Sequence, residues 1–134
     1  SLDIEFFDGR NITFNLISST FDEVLENSDF ISVHIPASDK YIIDSKEIEK
    51  MKDGVGLLNL SRGGIVNEEE LLKSINSGKV SFAGIDTFEN EPVPSMKLLM
   101  NSNISLTPHI GAATSEAQDR IGVELADKIN EILS

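Results

Sequence analysis

Short runs of apolar residues alternate with amphipathic segments along the 134 residues of this chain. The apolar runs have the length of β-strands, and turn-forming residues close them. They span residues 4–7, 14–17, 30–35, 55–60, 80–85 and 104–106. Strands that alternate with helices are typical of a parallel sheet with helices on its faces. The pattern therefore predicts an α/β fold, with a buried strand over residues 4–7.

The segments between the apolar runs carry the signals of helix ends. Capping residues and helical spacing predict helices over residues 20–27, from residue 45 for one or two turns, over 67–78 and over 115–133. The last helix is expected to begin with a capping box formed by Ser115 and Gln118. Its apolar stripe comprises Ile121, Leu125, Ile129 and Ile132.

Composition narrows the classes of partner. Hydrophobic residues make up 40% of the chain and charged residues 25%, as in an ordinary soluble domain. The net charge of −12 argues against nucleic acid or an anionic membrane as a partner. No apolar run approaches the roughly 20 residues of a membrane-spanning helix. The absence of cysteine excludes disulfides and thiolate chemistry, and a cytoplasmic location is the expectation.

Candidate functional residues follow the ends of the predicted strands. In an open parallel sheet, ligands bind outside the carboxyl ends of the strands. Arg62 lies between a strand end and two glycines, and its guanidinium matches the geometry of a carboxylate or a 2-oxo acid. The alternative is a surface arginine that pairs with one of many neighbouring acids.

His109 directly follows Pro108 at the end of the last apolar run. A histidine side chain titrates near neutral pH, and a carboxylate beside it would hold the ring in place as an acid or base. Such groups typically contribute on the order of 10²–10⁴ in rate. The alternative for His109 is a structural hydrogen bond. Glu91, in the polar loop that follows the run 80–85, is a further candidate, and the alternative for it is a solvated loop carboxylate.

The remaining candidates are weaker. Asp8 lies where a nucleotide-binding unit keeps an acid for ribose hydroxyls, but acids are also common in turns, and Asp86 has the same ambiguity. His34 with Pro36 could line a flat ligand or simply end a strand. No metal-ligand spacing is present. The glycines of the segment 54–56 precede a strand rather than a helix, so they do not form a dinucleotide fingerprint.

Four segments together resemble the NAD-binding domain of the D-isomer-specific 2-hydroxyacid dehydrogenases. They are residues 28–36, 58–66, 83–92 and 107–111, in the order that the family has. Residues 116–118, which follow the histidine segment, are most similar to the D-3-phosphoglycerate dehydrogenase branch. Asn67 stands where the family usually has Asp, which preserves a helix cap.

The resemblance implies a role for each candidate. Arg62 would anchor the carboxylate and carbonyl of the substrate, His109 would remove the hydroxyl proton, and Glu91 would make His109 a stronger base. A hydride would pass to the nicotinamide of NAD. The cofactor contacts implied are Asp8 for the adenosine ribose, Asp86 for the carboxamide, His34, Ile35 and Pro36 for the adenine side, and also Ser61, Arg62, His109 and Gly111.

The resemblance also implies that residues 1–134 are a partial NAD-binding domain. Ser1 is expected to be a boundary, with the first strand and glycine-rich loop of a doubly wound Rossmann-type sheet upstream of it, and with the substrate domain absent. The parent protein would oxidise a small anionic D-2-hydroxy acid, D-3-phosphoglycerate to 3-phosphohydroxypyruvate in serine biosynthesis being the expectation. It would act as a homodimer or higher homo-oligomer. The alternative is a non-catalytic regulator that senses the dinucleotide.

Loss of the first strand has a physical consequence. In the doubly wound strand order that strand is central, so its removal would leave two sheet pieces with unpaired apolar edges. The 134-residue chain is therefore expected to be marginally stable, to aggregate or to pair with another copy. Without the glycine-rich loop the pyrophosphate has no binding site, so the chain is also expected to be inactive by itself.

Overall fold

The computed structural model describes residues 2–15 and 17–133 of the chain. Its elements are β1 (Leu2–Glu5), β2 (Asn11–Phe14), α1 (Phe21–Asn27), β3 (Phe30–Val33), α2 (Ser45–Lys50), β4 (Val55–Asn59), α3 (Glu68–Ser77), β5 (Val80–Ile85), α4 (Met96–Leu99), β6 (Ile104–Leu106) and α5 (Ser115–Leu133). The last four strands form one parallel sheet in the order β3-β4-β5-β6. The predicted α/β fold is confirmed.

The first two strands form a separate antiparallel hairpin, and the prediction of a buried strand over residues 4–7 is wrong. Leu2 pairs with Phe14 and Glu5 with Asn11, while Ile4 is 40% exposed. Residues 6–10 connect the strands, which is far shorter than the dozen or more residues that a parallel crossover needs. β2 spans Asn11–Phe14 and so begins earlier than the predicted run 14–17. Residue 16 of that run, like Ser1, lies outside the described residues.

The core lies between the parallel sheet and the helices that pack on it. β4, which has a strand on each side, is almost continuously buried, as is typical of a central parallel strand. The helices contribute buried side chains from one face each, namely Leu25 of α1, Ile48 of α2, Leu71 and Ile75 of α3, and Leu98 of α4. This core fixes the four strand ends relative to one another.

Most of the predicted helix caps are confirmed. Thr20 and Glu23 form a capping box for α1, and Asn67 accepts hydrogen bonds from the first turn of α3. Gly78 ends α3 with a φ of 82°, a left-handed conformation that favours glycine. The short helix α4, capped by Ser95, was not predicted.

The start of α5 differs from the prediction. Thr114, one residue before Ser115, caps the helix by accepting a hydrogen bond from the Ala117 N–H. The Gln118 side chain donates instead to the carbonyl of Ala112 at 2.7 Å. Thr114 and Ala117 have the same three-residue spacing as the predicted pair, so a shift by one residue preserves the cap.

The apolar stripe of α5 is not covered by the part of the chain that the structure describes. Ile121, Leu125 and Ile129 are 52%, 58% and 46% exposed, and α5 has no buried residue. No helix within residues 2–15 and 17–133 is both long and apolar enough to span a membrane.

The outer edge of β3 generates the first prediction. Within the described ranges β3 pairs only with β4, and Phe30 on it is 70% exposed. Open, apolar strand edges associate with other chains, and a lysine on such an edge opposes association. We expect the 134-residue chain to self-associate in analytical ultracentrifugation, and Phe30→Lys to weaken this association.

Phe7→Lys is the matched control, because Phe7 is 103% exposed but lies in the hairpin turn. It should leave the association unchanged. A wild-type chain that sediments as a monomer and unfolds cooperatively would contradict the edge-pairing account.

Candidate active site

The loops that follow β4, β5 and β6 meet around a cavity of about 790 Å³. Its lining comprises residues 37–41, 62–64 and 88–91 together with His109. The cavity therefore brings together Arg62, Glu91 and His109, which lie on three separate loops. This placement agrees with the rule that ligands bind at the carboxyl ends of parallel strands.

His109 and Glu91 are hydrogen-bonded through their side chains. The ring Nδ1 of His109 lies 3.0 Å from Oε2 of Glu91, which confirms the predicted contact. The other oxygen of Glu91 accepts a hydrogen bond from the Phe88 N–H at 3.2 Å. The hydrogen bond with His109, followed by that from Phe88, lowers the pKa of Glu91. Glu91 is thus an ionised acceptor that fixes the orientation of the imidazole ring.

The backbone of His109 has a φ of 54°, which is uncommon for a residue other than glycine. Such a conformation persists only when its surroundings impose it, and it is frequent at functional sites. Here the surroundings are supplied by Asp86 at the end of β5. Its carboxylate accepts hydrogen bonds from the Thr107 hydroxyl at 2.5 Å, the Ile110 N–H at 2.9 Å and the Gly111 N–H at 2.8 Å.

Asp86 is a buried, ionised anchor for the histidine loop. Burial by itself would raise the pKa of its carboxyl group, but the three hydrogen bonds and the charge of His109 outweigh burial and lower the pKa. Only 2% of the residue is exposed. The backbone of Gly111 lies close to this carboxylate, since a Cβ on Gly111 would lie 3.0 Å from Oδ2 of Asp86.

The loop that carries Arg62 is held by Asn59, the last residue of β4. The Asn59 amide donates to the Arg62 carbonyl at 3.0 Å, and its oxygen accepts from the N–H and hydroxyl of Ser61. A Cβ on Gly63 would lie 1.8 Å from the Phe88 carbonyl oxygen, so glycine is required there. The arginine loop therefore packs directly on the backbone that precedes Glu91.

The guanidinium of Arg62 donates to the Ser61 carbonyl at 2.7 Å and is exposed. It forms no ion pair with any carboxylate in the described part of the chain, so the alternative of a surface salt bridge is not supported. Its remaining donors are free to bind the planar carboxylate of a ligand.

The structure does not bring Asp8 to this cavity. Asp8 lies in the hairpin turn and binds the side chain of Arg10, whose hydrogen bonds lower the pKa of Asp8. His34 follows β3, is exposed, and has its Nε2 2.7 Å from the hydroxyl of Ser32. Ile35 and Pro36 next to it are also exposed. Their cofactor contacts, and those of Ser61, Asp86 and Gly111, stay predictions.

The chemistry of the cavity fits the reacting end of a nicotinamide cofactor with a small acid. Arg62 and Lys40 supply cations, and His109 supplies a group that can exchange a proton. The described residues include no turn with the Gly-x-Gly-x-x-Gly spacing of a dinucleotide-binding loop between a strand and a helix. No cluster of three potential metal ligands occurs within residues 2–15 and 17–133.

Replacement of Asp86 by Asn should destabilise the protein in a pH-dependent way. A carboxylate with a lowered pKa stabilises the folded state above its unfolded pKa of about 4, and this contribution is lost as the pH falls through the folded pKa. We expect Asp86→Asn to cost about 2–3 kcal/mol at pH 7 and less at lower pH. Urea unfolding between pH 3 and pH 7 measures this, and a cost that is independent of pH would contradict it.

Removal of the imidazole should raise the pKa of Glu91. We expect His109→Phe to move this pKa towards its ordinary value while the bond from Phe88 holds it partly down. A ¹³C NMR titration of the glutamate side chains measures the change. Glu23, whose pKa is lowered by hydrogen bonds from Thr20, is the internal control and should not shift. An unchanged Glu91 pKa would mean that the contact does not form in solution.

Comparison with known proteins places this arrangement in a family. Residues 10–111 match the family model described as D-isomer specific 2-hydroxyacid dehydrogenase, NAD binding domain. The chain is 49% identical over 113 residues to a hydroxypyruvate reductase of Thermotoga maritima, covering 81% of this chain and 37% of that protein. It is 41% identical over 117 residues to a D-3-phosphoglycerate dehydrogenase of Mycobacterium leprae, covering 86% and 22%.

A similar solved structure is the crystal structure of a glyoxylate reductase from Paecilomyes thermophila. The TM-score is 0.72 at 40% identity, over 78% of this chain and 33% of that chain. The chain thus spans little more than a third, or less, of each of these proteins. The resemblance and the Rossmann-like fold predicted from the sequence are confirmed. The chain belongs to the D-isomer specific 2-hydroxyacid dehydrogenase family, whose NAD-binding domain it matches.

Proposed function

We propose that this chain supplies the acid–base pair and the carboxylate-binding arginine of an NAD-dependent D-2-hydroxyacid dehydrogenase. The observation that carries the proposal is the 3.0 Å contact between His109 and Glu91 at a cavity that Arg62 also lines. These three groups match what the oxidation of a hydroxy acid requires, namely a base, a partner that stabilises its charged form, and a cation for the carboxylate.

In the proposed reaction, Arg62 binds the substrate carboxylate and orients the C2 oxygen towards His109. Because Nδ1 of His109 is bonded to Glu91, Nε2 is the ring nitrogen that accepts the hydroxyl proton during oxidation. Glu91 stabilises the imidazolium that forms, and the same nitrogen returns the proton during reduction. NAD, when bound, supplies the hydride acceptor for the C2 hydrogen, so that the C2–O single bond becomes a carbonyl.

The cofactor-binding part of the proposal rests on the residues at the strand ends. Ser61 and Gly111 lie in the loops beside Arg62 and His109. His34, Ile35 and Pro36 follow β3, and therefore also lie at the carboxyl ends of the parallel strands. Asp86 is proposed to meet the carboxamide while it anchors the histidine loop. Asp8 is proposed for the adenosine ribose on sequence resemblance alone, since the structure holds it in the hairpin turn.

Within this class, D-3-phosphoglycerate is the proposed substrate. A phosphate needs a cation, and Lys40 lines the cavity with no ion-pair partner in the described ranges. D-Glycerate lacks the phosphate, so Lys40→Met should reduce kcat/KM for D-3-phosphoglycerate by about tenfold and leave that for D-glycerate unchanged. A higher kcat/KM for D-glycerate than for D-3-phosphoglycerate in the wild type would contradict this. The substrate pair would then be D-glycerate and its oxidation product, hydroxypyruvate.

The decisive experiment measures NADH oxidation by 2-oxo acids with the protein produced from the complete gene. His109→Gln should reduce kcat by about 10²–10⁴-fold while NADH binding is retained. Arg62→Lys should mainly raise KM for the oxo acid, because lysine lacks the bidentate fork. NADH binding without turnover of any 2-oxo acid would contradict the catalytic proposal and favour the dinucleotide-sensing regulator.

A further inference from the structure

Glu68 and Glu89 form a reciprocal pair beside the candidate site. Glu68 is the first residue of α3, and its N–H donates to Oε1 of Glu89 at 2.9 Å. The N–H of Glu89 donates in turn to Oε1 of Glu68 at 2.8 Å. Each carboxylate thus accepts the backbone N–H of the other residue, and the two bonds join segments that are 21 residues apart.

Two acids can lie together here because backbone donors surround them. The N-terminus of α3 presents N–H groups that have no acceptor within the helix and the positive end of the helix dipole, both of which favour carboxylates. Burial raises the pKa of Glu68, with the charge of Glu89 adding to this and the bond from the Glu89 N–H opposing it. The geometry therefore has a favourable part, the two charge-assisted bonds, and an unfavourable part, the proximity of like charges.

The pair is attached to a rigid element at one end. Asn67 caps α3 by accepting hydrogen bonds from the N–H groups of Glu69 and Glu70. Leu71 and Ile75 bury the same helix in the core. The N–H of Glu68 is therefore a fixed donor that binds the loop following β5.

At its other end the pair holds the backbone on which the site is built. Phe88, which precedes Glu89, donates its N–H to Glu91 and presents its carbonyl oxygen to Gly63 of the arginine loop. A shift of the backbone at residue 89 would therefore move Glu91 relative to His109 and move the arginine loop as well. Neither Glu68 nor Glu89 contacts His109 through a hydrogen bond.

We propose that Glu68 and Glu89 are positioning residues that hold Glu91 against His109 and set the distance between this pair and Arg62. The expected effect on turnover rests on the proposed dehydrogenase function. The expected effect on the contact between Glu91 and His109 does not. Because the contacts need an acceptor oxygen at each side chain, glutamine should largely replace glutamate in them, whereas alanine should not.

The test compares alanine and glutamine variants at both positions in the protein produced from the complete gene. Glu69→Ala is the matched control, since Glu69 lies next to Glu68 on the same helical turn and its carboxylate pairs with Lys73 at the surface. Steady-state kinetics give kcat and KM for the 2-oxo acid and for NADH. Thermal unfolding reports stability separately.

We expect Glu68→Ala and Glu89→Ala to lower kcat by about tenfold or more with KM for NADH unchanged, because small displacements of catalytic groups are costly. The glutamine variants should stay within about threefold of wild type. Each single alanine variant removes one of the two bonds and leaves the other in place, so the double alanine variant should be more impaired than either single one. Alanine variants that behave like Glu69→Ala, or that lose activity only in proportion to stability, would overturn the proposal.

A second readout does not depend on turnover. In protein labelled with ¹⁵N-histidine, the Nδ1–H proton that His109 shares with Glu91 should give a downfield signal, assigned by its absence in His109→Gln. This signal should broaden or vanish in the alanine variants and persist in the glutamine variants and in Glu69→Ala. If the wild type shows no turnover, the proposed function fails while this signal still decides the positioning role. A signal that persists in the alanine variants would refute it.

Discussion

The carboxylate of Asp86 is the contact on which the candidate site most depends. It accepts three hydrogen bonds from the loop that follows β6, and these impose the unusual backbone of His109. Two residues beyond Asp86, the same strand end supplies Phe88, whose backbone binds Glu91 and meets the arginine loop. One strand end thus positions the base directly and its carboxylate partner through the backbone, which is how residues on three loops keep a common geometry.

Several acidic residues of this chain have a structural role at the candidate site. A net charge of −12 would be expected to make the site repel an anionic substrate. Several carboxylates of the site are instead used as acceptors for N–H groups: Asp86 for the histidine loop, Glu91 for Phe88, and Glu68 and Glu89 for one another. Because Arg62 has no carboxylate partner in the described ranges, its charge remains available to a ligand.

The sequence predicted what local patterns encode. The bounds of β5 and the caps at Thr20, Asn67 and Gly78 follow from apolar periodicity and from end signals, and the strand-end rule selected Arg62, Glu91 and His109. The hairpin is not predicted because an apolar run by itself does not show whether its strand is buried or exposed. The short connection over residues 6–10 is nevertheless a signal that excludes parallel pairing. The anchoring by Asn59 was signalled only weakly, by a polar residue at a strand end. The pairing of Glu68 with Glu89 depends on tertiary contacts between distant segments and has no local signal.

The most direct test of the account is a crystal structure of the protein produced from the complete gene with NADH and oxamate, an unreactive analogue of a 2-oxo acid. The account predicts that the guanidinium of Arg62 binds the oxamate carboxylate, that Nε2 of His109 lies within hydrogen-bonding distance of the amide oxygen, and that Glu91 still binds Nδ1. Oxamate bound away from Arg62 and His109, or a His109 ring turned away from Glu91 in the complex, would contradict it.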